Sequence, residues 1–142
     1  MFDDKGFADQ ILTLGELKDG WIEVKVDYSS DNFVQSAFCG LVICKKHIDI
    51  SHAGTMVVEI EFTDEGLGTI DLELKNHKDN LFEKVSLSRN AVSNDMCTVD
   101  LSAFERDLLR NIDEVVLCTR PNHFINENNK CGKYKIRTLS VF

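Results

Sequence analysis

The sequence predicts an all-β domain: a two-sheet antiparallel β-sandwich with one short helix. Two observations predict it. Apolar and polar residues alternate with a period of two in segment after segment, and the segments follow each other at intervals too short for crossover helices. The intervals themselves carry Gly, Asn and Asp, the residues that turns require. With 142 residues, 43% of them hydrophobic, the chain has enough apolar material for one packed core. No repeat, low-complexity tract or linker interrupts it, so residues 1–142 are expected to form a single domain.

Gln10 to Leu14 is expected as an additional edge strand, and Lys18-Asp19-Gly20 as the turn that follows it. Trp21 to Tyr28 places Ile22, Val24, Val26 and Tyr28 on one face and Glu23, Lys25 and Asp27 on the other, a core face and a solvent face. Gly40 to Cys44 is continuously apolar, as in a strand buried on both faces or near a sheet corner. Thr55 to Phe62 alternates again, with Met56, Val58, Ile60 and Phe62 opposite Glu59 and Glu61. After the turn residues Asp64 to Gly68, Thr69 to Lys75 sets Ile70, Leu72 and Leu74 against Asp71, Glu73 and Lys75. Phe82 to Leu87, Met96 to Leu101, Glu114 to Thr119 and Lys133 to Phe142 complete the strands, separated by turn chemistry at Asn76 to Asn80 and Asn90 to Asp95. The helix is expected within Asp100 to Asn111. Leu101, Phe104, Leu108 and Leu109 lie near helical spacing there, and Ser102 with Glu105 has the spacing of a capping box. Pro121 opens a polar loop, Asn122 to Lys130, that ends at Cys131-Gly132.

Sixteen Lys and Arg against 24 Asp and Glu give a net charge of −8, which argues against nucleic acid and anionic membranes as partners. No apolar run approaches the ~20 residues of a membrane span. Met1 to Gly6 has no secretory character. The cysteines, Cys39, Cys44, Cys97, Cys118 and Cys131, are odd in number and contain no Cys-x-x-Cys pair. Most read as small buried hydrophobes in a reduced protein. A complete chain would then be cytoplasmic, and a module excised from a secreted enzyme extracellular. His47, His52, His77 and His123 show no metal-pair spacing, and there is no phosphate loop and no Gly-x-Ser-x-Gly elbow. Neither an enzyme nor a cofactor nor a metal is expected.

Three phrases carry a family resemblance. They are Ile48-Asp49-Ile50-Ser51-His52-Ala53-Gly54 before a strand, Thr98-Val99-Asp100-Leu101-Ser102-Ala103-Phe104 leading into the helix, and Leu109 to Leu117 leading into the next strand. With Gly132 introducing the last strand, the order resembles the galactose-binding-domain-like β-jelly-roll of non-catalytic carbohydrate-binding modules, from about Trp21 to Phe142. The resemblance implies a jelly roll that binds oligo- or polysaccharide on a sheet face or at its loops. Such modules often hold a structural calcium through an acidic residue on the last strand. Here Lys135 and Arg137 stand on that strand instead, which leaves Asp3, Asp4 and Asp27 as candidate donors.

Candidate ligand-binding residues follow from sugar chemistry, which uses aromatic faces for stacking and charged or amide groups for hydroxyls. Trp21 has the parity of the polar face and either stacks a sugar there or covers the end of the core; Lys25 shares that parity. Asp71, Glu73 and Lys75 form a polar stripe, joined by Glu59 and Glu61 if the two strands are neighbours, or else an ordinary solvated face. The loop offers Asn122, His123, Phe124 and Asn126, and the last strand Arg137. Tyr28 and Tyr134 share parity with core residues and are expected inside. Carbohydrate is the expected partner. An alternative reading is an N-terminal sensory or assembly domain of a cytoplasmic regulatory protein, with further domains on a longer chain.

Overall fold

The computed structural model describes residues 12–28, 39–126 and 128–142. Within them lie β1 (Leu12–Glu16), β2 (Ile22–Asp27), β3 (Cys39–Cys44), β4 (Thr55–Phe62), β5 (Thr69–Asn76), β6 (Leu81–Ser88), β7 (Met96–Asp100), α1 (Arg106–Arg110), β8 (Glu114–Thr119) and β9 (Cys131–Val141). Every strand pairing is antiparallel, and the strands form two sheets, β1-β2-β9-β4-β7 and β3-β8-β5-β6. The chain is an all-β sandwich. Residues 10 and 11 of the expected first strand, and Asp3 and Asp4, lie outside the described residues.

Alternation decides what each strand contributes. Val24, Val26, Val58, Ile60 and Tyr134 turn inward from the first sheet and Ile70, Leu72, Leu74 and Leu117 from the second, all at most 1% exposed. Tyr28 is also buried, and its hydroxyl donates to the Thr119 carbonyl at 2.8 Å, which satisfies the one polar atom that burial strands. At one end Leu101, Leu108, Leu109 and Ile112 close the sandwich. An isolated bridge between Ile48 and Ile112 ties the segment before β4 to the segment before β8.

Three expectations are revised. The helix is shorter than its periodicity suggests, because the Asp100 carboxylate accepts the Ser102 N–H at 2.9 Å and Phe104 N–H donates to the Leu101 carbonyl, making a turn of the residues that would have begun the helix. Ser102 caps nothing; α1 starts after Glu105, whose side chain makes no cap hydrogen bond. The apolar run at Gly40 to Cys44 forms an edge strand, with Leu41 to Cys44 half-buried rather than enclosed on both faces. β4 and β5 belong to different sheets, so Glu59 and Glu61 do not extend the stripe of Asp71, Glu73 and Lys75.

A second feature positions the site. The Asp64 carboxylate accepts the N–H groups of Gly66 and Lys133, and the Arg89 guanidinium donates to the carbonyls of Asp64 and Leu67 while lying 5.0 Å from the Phe62 ring centre. The loop from Asp64 to Gly68 is thereby held rigid. It in turn carries the segment after β8: Gly68 N–H donates to the His123 carbonyl at 2.8 Å, and Ile125 N–H to the Gly66 carbonyl at 2.9 Å.

Candidate functional site

The outer face of the second sheet is built from strand positions that pair directly. Asp71 on β5 stands opposite Ser86 on β6 and Cys118 on β8; Glu73 opposite Lys84 and Val116; Lys75 opposite Phe82 and Glu114. Residues opposite one another in a ladder share a face. Arg120 and His123 join this face from the turn after β8.

The charges form a connected network. Asp71 accepts from the Ser86 hydroxyl at 2.8 Å and from Arg120 Nη1 at 3.2 Å, with Lys84 Nζ at 3.8 Å and His123 Nε2 at 3.4 Å from the same carboxylate. Arg120 also reaches Glu73, with Nη2 3.8 Å from Oε2, and Lys75 Nζ lies 3.5 Å from Glu73 and 3.9 Å from Glu114. Beyond Lys75, His77 lies 3.8 Å from Glu114 through Nε2 and pairs with Asp113 through Nδ1 at 2.7 Å.

A solvated sheet face would leave its carboxylates in water. Here Asp71 and Glu73 are only 3% and 4% exposed. Removing an ionised carboxylate from water costs several kcal/mol unless cations and donors replace the lost hydration, which is what Arg120, Lys75, Lys84 and Ser86 do. The cations are more accessible than the carboxylates they pair with, and Phe82, at the end of the row, is 53% exposed with its ring centre 6.0 Å from Lys75 Nζ. Chemically this is a surface of fixed acceptors and donors with an aromatic ring at one end.

The sequence candidates separate into three places. Asp71, Glu73, Lys75 and His123 come together on this face. Trp21, Lys25 and Arg137 lie on the outer side of the first sheet, across the sandwich. There the Trp21 ring centre is 4.6 Å from Lys135 Nζ and 4.7 Å from Arg137 Cζ, and the residue is buried. Arg137 is paired with Glu59, which also accepts from Thr138; the Arg137 and Thr138 donors hold the Glu59 carboxyl below the usual range. Lys25 is exposed opposite Lys133. The third group lies on the loop after β8. Asn122 is exposed, and Asn126 uses its side chain to accept the Asn128 N–H at 2.9 Å. Phe124 turns inward and meets Tyr28 edge to face at 5.9 Å.

Phe82, Lys84, Glu114 and Arg120 are missing from the sequence candidates. Phe82 and Lys84 sit on a strand whose alternation is diluted by polar residues, and Glu114 and Arg120 flank an apolar run. Phe82, Lys84 and Glu114 are placed by pairing with β5, and Arg120 by the turn after β8 that brings its guanidinium to Asp71, neither of which a linear pattern shows. Among the described residues no group of three or more His, Cys, Asp or Glu side chains is arranged to hold a metal ion.

No protein-family profile matches the chain, and no curated protein does. Solved structures do. A mutant of the family 29 carbohydrate-binding module CBM29-2 aligns with 90% of this chain and 74% of its own, at 13% identity and a TM-score of 0.50. The solution structure of CtCBM11 aligns with 92% of this chain and 80% of its own, at 17% identity and a TM-score of 0.52. The fold is the β-jelly-roll of carbohydrate-binding modules. At these identities the likeness is one of architecture, and what the site does has to be argued from its own residues.

Proposed function

We propose that the chain is a non-catalytic carbohydrate-binding domain, and that its binding face is the outer face of the second sheet. The observation that carries this reading is the network of Asp71, Glu73, Lys75, Lys84 and Arg120, in which buried carboxylates are locked beside partly accessible cations. A sugar hydroxyl both donates and accepts, so a face of fixed carboxylate acceptors and Lys or Arg donors can bind it at both atoms. Phe82 supplies an exposed ring for a sugar C–H face. The similarity of the fold to two carbohydrate-binding modules supports the same reading.

Affinity electrophoresis and isothermal calorimetry against soluble glucans, mannans and xylans test it. Binding to at least one polysaccharide, weak for a single module, is the expected result. No binding to any of them at millimolar sugar overturns it. A second reading, a sensory or assembly domain in a reducing cell interior, draws on the five cysteines, none of which is in a disulfide. The full-length gene separates the two: a glycosidase neighbour on the same chain favours the first, a regulatory output domain the second.

A further inference from the structure

His123 is hydrogen-bonded at one ring nitrogen and faces a carboxylate with the other. Nδ1 accepts a hydrogen bond from the Arg120 N–H at 3.2 Å, while the His123 N–H donates to the Arg120 carbonyl at 3.0 Å. The two bonds close residues 120–123 into a reciprocal turn, with Pro121 where its fixed φ suits the start of a helical turn. A ring nitrogen that accepts an N–H carries no proton of its own, so the neutral imidazole bears its proton on Nε2. Nε2 lies 3.4 Å from Asp71 Oδ2, the oxygen that Arg120 Nη1 also reaches. One imidazole thus spans the backbone and the carboxylate partner of the same arginine.

We infer that His123 is the positioning residue of the binding face: as the neutral Nε2–H tautomer it fixes Arg120 against Asp71, and its protonation releases that arrangement, so that binding fails in acid. This rests on the reading that the second-sheet face binds carbohydrate. The reason is a donor conflict. A proton added at Nδ1 points at the Arg120 N–H, and the turn loses its reciprocal bond. The charged groups around the ring are Asp71 on β5, Lys84 on β6 and Arg120 after β8, with Glu73 reached through Arg120. Burial lowers the His123 pKa below its ordinary 6.5; Asp71 opposes this, and Arg120 and Lys84 reinforce it. With the folded pKa depressed, the arrangement is fully present above the ordinary histidine value and is lost as pH falls through the lowered one.

The test has two arms. Long-range proton–nitrogen NMR of the intact chain at about pH 7.5 is expected to show Nδ1 unprotonated and Nε2 protonated, and on titration the Arg120 amide should move with the ring. A proton on Nδ1, or an Arg120 amide that does not follow the ring, overturns the inference without any variant having to fold. In the second arm, affinity for soluble glucomannan is measured at about pH 7.5 and at the lower pH at which the first arm shows the His123 ring protonated. The wild-type chain is expected to lose about tenfold, the equivalent of one net hydrogen bond. His123→Asn, whose amide oxygen can take the Arg120 N–H, is expected to bind more weakly at the higher pH and to lose nothing further at the lower. An equal acid loss in this variant overturns the inference. If glucomannan binds at neither pH, the NMR arm alone decides the His123 device, and the polysaccharide panel decides the binding reading.

Discussion

At the scale of single residues, Gly66 shows how closely this fold brings backbone to backbone. A Cβ there would lie 2.1 Å from the Cys131 carbonyl oxygen and 2.6 Å from Gly132 Cα, neither of which can swing aside. Gly66→Ala should therefore destabilise the chain by about 3 kcal/mol, read as a fall in Tm or in the urea midpoint. Gly54→Ala is the control: nothing lies within 4 Å of its Cβ position, and a change of about 0.5 kcal/mol or less is expected. Sequence points to the turn but not to this reason. Among the described residues the positive φ values fall at Asp19, Gly20, Asn80, Asn94 and Asp95, all within turns legible from their Asn, Asp and Gly residues, whereas Gly66 is needed for space. The cysteines yield a second prediction. Cys39, Cys97 and Cys118 are buried, and burial pushes the Cys118 thiol up to about 12. Cys44 and Cys131 are half-buried. A thiol-reactive disulfide reagent should label only these two in the native state and all five after denaturation; rapid native labelling of Cys118 would contradict its placement.

At the scale of elements, α1 is too short to be stable by itself; Leu108 and Leu109 bury one side of it, and one polar side chain pins it. The Arg106 guanidinium donates to the carbonyls of Ser51, Ala53 and Leu101, pinning the helix to the segment before β4 and to the end of β7. Arg106→Ala should cost about 2 kcal/mol, because it strands buried carbonyls as well as removing charge-assisted bonds. Arg106→Lys, which cannot reach three carbonyls at once, should recover less than half of that. A variant as stable as the parent by urea unfolding would show that the helix is held by Leu108 and Leu109 alone. This element also marks the limit of what is legible in the chain. Of the four positions at helical spacing, Leu108 and Leu109 lie buried in α1, whereas Leu101 and Phe104 precede it, the first buried and the second half-buried. The helix start is misread, because Asp100 and Ser102 form a local turn that competes with capping. The same distinction governs the site. Alternation places Asp71, Glu73 and Lys75 on one face of one strand, but it carries no information on which strand lies alongside. So Glu59 and Glu61 look like their neighbours and Lys84, Glu114 and Arg120 do not.

At the scale of the whole molecule, the sandwich has two outer faces, and both carry alternating charge. They differ in how that charge is held. On the first sheet Glu59 pairs with Arg137 and Glu61 with Lys135 at 2.8 Å, side chains 23% to 38% exposed that water and salt screen readily. On the second sheet the carboxylates are buried and the cations reach outward from them. A ligand on the second face meets groups whose orientation is already fixed, so little side-chain entropy is lost on binding. Substitution can therefore separate the faces. Lys84→Ala and Phe82→Ala remove partly exposed groups and should each weaken polysaccharide binding about five- to tenfold, Phe82→Ala with little change in Tm and Lys84→Ala with a small fall, since Asp71 keeps Arg120 and Ser86. Lys25→Ala, across the sandwich, should change affinity by less than about twofold. Arg120→Ala is the harsher variant, since it leaves Asp71 and Glu73 buried with fewer cations, and its loss of binding counts only if the thermal transition persists. Binding that follows Lys25 or Arg137 instead would move the site to the Trp21 side, where Lys135 and Arg137 would first have to move off the indole before a sugar could stack on it.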